Sequence, residues 1–187
     1  MILGLVCFIV AAIFLVNIAF ACGKCEQVEN GWFNLIFGLV LLFLILTGIV
    51  KEWAGPITGD YPTPALWWGA QVALFAMTYV FLGLQRIKNF DGRVVGWWCL
   101  FVVVNVPLPA YQTFKSGDLP LGLIWIAWGW LWFLFFWSMA LGRGTSKLFG
   151  NVTVASMVLG FLFTLWIPSL YMINGWWQTP AGGEAAG

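Results

Sequence analysis

Cys22 and Cys25 form the one C-x-x-C pair in the chain, and paired thiols are the first residues to weigh for metal or redox chemistry. Two thiolates do not complete a tetrahedral zinc site, and the other cysteines, Cys7 and Cys99, sit inside apolar runs. The chain has no histidine. Zinc-finger, haem-histidine and histidine-based catalytic sites are thereby ruled out, and the sequence predicts no metal and no cofactor. The 8 Lys and Arg and the 7 Asp and Glu all lie outside the long apolar runs. General acids and bases, a Schiff-base lysine and intramembrane ion-coupling groups are missing with them, which argues against an enzyme, a retinal protein or an ion-coupled pump.

The chemistry that remains is neutral and aromatic. Asn17, Asn34, Gln71, Thr78, Tyr79, Asn105 and Thr164 are among the amides and hydroxyls inside the apolar runs. Each can bond a neutral solute or, more commonly in membrane bundles, a neighbouring helix. Pro107, Pro109 and Pro168 should free the carbonyls of Val103, Asn105 and Thr164, because proline cannot donate to the residue four positions back. Aromatic residues make up 19% of the chain, with 14 Trp. Trp32, Trp53, Trp67, Trp68, Trp97, Trp98, Trp176 and Trp177 fall near the ends of apolar runs, where Trp anchors at the membrane interface. Trp125, Trp128 and Trp132 differ: their i, i+3, i+7 spacing puts them on one face of a helix at mid-membrane depth. Such a stripe suits either a pore lining or helix packing. Gly122 and Gly129, seven apart in the same run, suit close helix contact.

These residues must be carried by membrane helices. The chain has 187 residues, of which 62% are hydrophobic and only 8% charged, against about 25% charged in a soluble domain. Six uncharged apolar runs are long enough to cross a bilayer: 2–21, 31–50, 64–85, 94–113, 120–142 and 148–173. The first is read as a span rather than a cleaved leader, because no Lys or Arg precedes it and its apolar stretch is long. Lys24, Arg86, Lys88, Arg93, Arg143 and Lys147 share one side, against Lys51 and Lys115 on the other. That bias predicts cytoplasmic loops after spans one, three and five, and both termini outside. Gly55-Pro56, Tyr61-Pro62-Thr63-Pro64 and Gly117-Asp118-Leu119-Pro120 break the chain between spans. The expected fold is all-α: six transmembrane helices as three hairpins in one channel domain over 1–173, followed by a flexible tail over 174–187. With a formal net charge of +1 and no basic run, nucleic-acid binding is not expected.

The sequence resembles the UreI/AmiS family of bacterial urea channels and short-chain amide transporters. The resemblance runs through Leu3-Gly4-Leu5-Val6 and Asn17, Thr78-Tyr79, Asp91 and Arg93, and Leu100-Phe101-Val102 with Asn105. Its most specific parts are Ile124-Trp125-Ile126-Ala127-Trp128-Gly129 with Leu131-Trp132, and Thr164-Leu165-Trp166-Ile167-Pro168. It implies a twisted bundle around a pore in each protomer, six protomers to a ring, in the inner membrane. By position it places the pore lining on Cys7, Val10 and Phe14 in the first span, Met77 and Phe81 in the third, and Trp125, Trp128, Leu131 and Trp132 in the fifth; Asn17, Tyr79 and Asn105 join the expected solute path as polar groups of those spans and the fourth. Acid-gated members carry outer-loop histidines and a carboxylate at the position of Gly160. This chain has neither.

The resemblance implies passive, pH-insensitive passage of urea or of amides such as acetamide and formamide, with cytoplasmic urease or amidase drawing the solute inward. Aromatic faces would sandwich the planar solute, while Asn17, the Tyr79 hydroxyl, indole N–H groups and freed carbonyls exchange hydrogen bonds with it. The competing expectations are a non-transporting membrane scaffold and a channel for water, ammonia or a polyol.

Overall fold

The computed structural model describes residues 2–53 and 64–177. Among these residues the chain is helical and has no strand. Six helical stretches are long and apolar enough to cross a membrane: Leu3–Ala21, Gln27–Gly48, Trp67–Lys88, Arg93–Lys115, Leu119–Ala140 and Lys147–Ile173. The chain is an all-helical, multi-pass membrane protein, as its apolar runs predict. Side chains such as Phe43, Val94, Val104 and Leu148 are exposed, which suits a lipid surround in which apolar groups need no burial.

Three of the six spans are not plain helices. The first is α1 (Ile2–Ala21), the second α2 (Gln27–Trp53) and the third α3 (Pro64–Lys88). The fourth divides into α4 (Arg93–Asn105) and α5 (Pro107–Lys115). The fifth is α6 (Leu119–Phe135), prolonged by a π-turn, Phe136–Ala140. The sixth is α7 (Lys147–Gly160), a second π-turn, Phe161–Trp166, and α8 (Ile167–Ile173). Two of the irregularities fall at prolines. Pro107 lacks the N–H that Val103 would receive, yet Val106 stays helical (φ −56°, ψ −39°) and its N–H reaches Val102 O at 3.1 Å and Val103 O at 3.3 Å. The Val103 carbonyl is therefore taken, contrary to the expectation that Pro107 frees it. Pro168 sits in the first turn of α8, directly after the second π-turn, where a missing N–H is least disruptive.

The chain packs as two units, Met1–Lys24 with Asp91–Gly187, and Cys25–Phe90. The second is the α2–α3 hairpin, joined through glycine. A Cβ added at Gly83 would lie 2.6 Å from Leu35 N and 2.7 Å from Gly31 O, and one at Gly38 would lie 2.9 Å from Val80 N. Backbones thus approach where side chains would separate them. One turn from Gly31 and Gly83, at the same end of the hairpin, Gln27 Nε2 donates to Arg86 O at 3.0 Å and to Asn89 Oδ1 at 3.1 Å. Asn34 Nδ2 donates to Asn30 O and Oδ1 at 2.8 and 2.9 Å, so both buried asparagines are anchored.

In the first unit α1 packs on α7, the second π-turn and α8, while α6 packs on α4, α5 and α7. Gly122 and Gly129 do the close packing expected of them: a Cβ at Gly122 would overlap the Phe114 ring, and one at Gly129 would lie 3.0 Å from Val106 Cγ1. Asp118 caps α6, Oδ1 accepting from Leu121 N at 3.0 Å, while Oδ2 accepts from Trp177 Nε1 at 3.1 Å. Gly92 enters α4 at φ 80°, a left-handed conformation that favours glycine. Of the segment expected to be a flexible tail, Trp176 and Trp177 donate through their backbone N–H groups to Tyr171 O at 2.8 and 3.1 Å. Residues 178–187 lie outside the described residues, as do 54–63 with most of the break expected before the third span.

Candidate functional site

The aromatic stripe of α6 is inward. Trp125, Trp128, Leu131 and Trp132 are all buried, whereas Trp130, one residue off the stripe's phase, is 48% exposed and donates through Nε1 to Ser156 Oγ at 3.2 Å. The i, i+3, i+7 spacing thus becomes one buried face because α6 keeps regular α-helical pitch through it. Trp125 and Trp128 meet edge to face, their ring centroids 5.0 Å apart at 83°. Edge-to-face contact fixes both ring planes, since the electropositive edge of one indole meets the electron-rich face of the other.

Trp128 is held a second time. Its Nε1–H donates to Thr164 Oγ1 at 2.8 Å, and the Thr164 hydroxyl donates onward to Gly160 O at 2.6 Å. The chain N–H to hydroxyl to carbonyl engages both capacities of Thr164 in a buried setting. The indole N–H of Trp128 is therefore not available to exchange bonds with a passing solute; what Trp128 offers is its ring. Thr164 lies in the second π-turn. Such turns shift the facing of every residue beyond them by about one residue relative to an α-helix, and they recur at functional sites.

Gly160 marks the meeting point. A Cβ there would lie 2.9 Å from Leu131 Cδ1, 3.7 Å from Phe14 Cε1 and 3.8 Å from Thr164 Oγ1. Two of the residues placed on the path from the sequence, Phe14 and Leu131, thus gather with Thr164, the partner of Trp128, around a position that carries no side chain. Cys7, Val10, Phe14 and Asn17 recur at i, i+3, i+7 and i+10 on α1, and all four are buried. In the α2–α3 unit Tyr79 is buried and Met77 and Phe81 are half-buried. Asn105 is half-buried and turned to its own helix, Nδ2 donating to Phe101 O at 2.7 Å. Thr164, named from the sequence among the hydroxyls of the apolar runs but not placed on the solute path, is the residue the structure adds to the site. No spacing rule links it to Trp128, which lies 36 positions away.

No three Cys, Asp or Glu side chains come together as a metal would require among the described residues. Cys22 is exposed and Cys25 half-exposed, and neither is in a disulfide. A groove of about 470 Å³ runs between α6 and the sixth span, lined by Leu123, Ile124, Ala127, Phe163, Thr164 and Pro168 among others. Leu123 and Phe163 are exposed, so it opens on the outward side of the pair.

The family model for AmiS/UreI family transporters matches residues 2–176. A Mycolicibacterium smegmatis protein described as a transporter of amidate substrates is 31% identical over 108 residues, 57% of this chain and 49% of that protein. The acid-activated urea channel of Helicobacter pylori strain J99 is 30% identical over 116 residues, 55% of this chain and 57% of its own length. The chain thus spans about half the length of the curated relatives it matches. The cryo-electron microscopy structure of the Helicobacter pylori urea channel in its closed state superposes with a TM-score of 0.78 at 23% identity, over 94% of this chain and all of that one. The crystal structure of the same channel gives 0.76 at 22% identity, over 95% of this chain. At that identity the likeness speaks for the fold, and the family match for descent. Helical throughout its described residues, built from six spans and matched over nearly its whole length, the chain belongs to the AmiS/UreI family of transporters.

Proposed function

We propose that this protein is a passive channel for urea or short-chain amides. The observation that carries the reading is the buried aromatic face of α6, with Trp125 and Trp128 locked edge to face and the Trp128 N–H drawn away to Thr164. Urea and small amides are flat, uncharged and strongly hydrated, so loss of hydrogen bonds to water is what hinders their crossing. A slot walled by fixed ring faces suits a planar solute. Ions find no fixed charge there to offset their own dehydration. The proposed path follows Cys7, Val10, Phe14 and Asn17 of α1, Met77, Tyr79 and Phe81 of α3, Asn105 of α4, and Trp125, Trp128, Leu131 and Trp132 of α6.

On this reading the protein is one channel domain that sits in the bacterial inner membrane as a homo-oligomer, a hexamer by analogy with the family, with both termini outside. Its solute flux is driven by the gradient that a cytoplasmic urease or amidase maintains. The resemblance to the amide-transporting branch makes acetamide and formamide cargoes beside urea. Stopped-flow light scattering on proteoliposomes with urea, acetamide, glycerol and water tests it. Urea and acetamide should enter faster than in protein-free vesicles. Passage of none of the four would make the protein a scaffold, and passage of water or glycerol alone would make it a different channel.

A further inference from the structure

Most buried polar side chains in the described spans are answered locally. Thr78 Oγ1 donates to Leu74 O at 2.6 Å, Thr113 Oγ1 to Pro109 O at 2.8 Å, and Ser169 Oγ to Trp166 O at 2.6 Å. Gln71 is different. Its side chain is 7% exposed and its Oε1 accepts no hydrogen bond. A buried carbonyl oxygen without a donor is unfavourable, and an apolar side chain of the same shape would remove that deficit. Where such an oxygen persists at membrane depth, a visiting donor is the physical reason to keep it.

Its position suits a visitor. Gln71 lies four residues into the third span from Trp67, about 6 Å along the helix axis, one turn beyond the interface. The next residues on the same face, Leu74 and Phe75, are buried and apolar, and the Thr78 hydroxyl below them is turned back into its own helix. A solute that reached this face would meet the carboxamide oxygen before a stretch that offers it little. The oxygen accepts and cannot donate, so it selects solutes that carry N–H or O–H groups.

We infer that Gln71 Oε1 is a solute-binding acceptor, receiving the N–H of urea or of a primary amide at the Trp67 end of α3. This rests on the reading of the chain as a channel for such solutes. The test replaces Gln71 by Met, which keeps the length and loses the oxygen, and by Asn, which keeps the oxygen and withdraws it. Proteoliposome uptake of urea and acetamide is measured beside thermal unfolding of the purified protein. Gln71→Met should lower both fluxes by about three- to tenfold, the worth of one hydrogen bond, while the unfolding temperature stays level or rises. Gln71→Asn should fall between Met and wild type. Unchanged flux in Gln71→Met overturns the inference. So does lost flux with a lowered unfolding temperature, which would make Gln71 a packing residue. A wild-type protein that passes neither solute overturns the channel reading, and this inference with it.

Discussion

Thr164 is one hydroxyl on which a much larger side chain depends. Replacing it by Val keeps the shape and leaves the Trp128 N–H buried without its acceptor, which should cost about 1–3 kcal/mol of stability. Thr164→Ser restores donor and acceptor and should lose little. Trp128→Phe removes the orphaned N–H, so Thr164→Val with Trp128→Phe should lose less than the sum of the two alone. Thermal unfolding of the wild type, the Thr164→Val and Trp128→Phe single variants and their double variant forms the cycle, and strict additivity would mean the 2.8 Å contact contributes nothing. The stripe itself makes a second prediction, in flux. Trp125→Ala or Trp132→Ala should alter amide uptake more than Trp176→Ala, because Trp176 is 64% exposed at a span end. Equal uptake in all three, at matched protein levels, would remove the stripe from the path. The stripe was legible in the sequence because α-helical spacing is regular through 125–132. The pairing of Thr164 with Trp128 was not, because the π-turn that carries Thr164 breaks the period by which a helical face is read.

Elements tell the same story at their ends and breaks. The hydropathy runs located all six spans, but α2 begins at Gln27 rather than at 31, since Gln27, Glu29 and Asn30 are helical without being apolar. Neither π-turn could be read. Both lie in sequence that is apolar on every side, so no amphipathic period exists there to slip. The α2–α3 contact was equally hidden, because glycines mark close approach only once a partner is known. It is testable at Gly83, where a new Cβ would meet the backbone of Leu35 and Gly31, which cannot swing aside. Gly83→Leu should therefore lose about 1–3 kcal/mol or more through overpacking. Gly150→Ala on α7 meets open space and should be neutral or gain up to about 1 kcal/mol of helix propensity. Unfolding temperatures of the two variants in one detergent decide the matter; similar values would mean the hairpin does not depend on backbone contact.

For the molecule as a whole, the absence of histidine has a consequence for gating. Histidine is the side chain whose ordinary titration falls between about pH 5 and 8, so uptake of urea or acetamide should change little over that range. A several-fold acid activation in proteoliposomes would contradict this and direct attention to the carboxylates proposed for the outer side, Glu52, Asp60, Asp118 and Glu184. Planar-bilayer recordings should likewise show no current that scales with solute concentration, because placing or coupling a charge at bilayer depth is expensive. The packing of α1 against α8 adds a matter of timing. Roughly 150 residues separate the end of α1 from the start of α8, and at about 5–20 residues per second their synthesis takes on the order of 10–30 s. For that interval the face of α1 that carries Gly4, which meets Met172 and Ile173, stands in lipid without its last neighbour. The first of the six described spans is thus among the last to be finished, so premature release of the nascent chain should leave α1 the segment most open to proteases and chaperones.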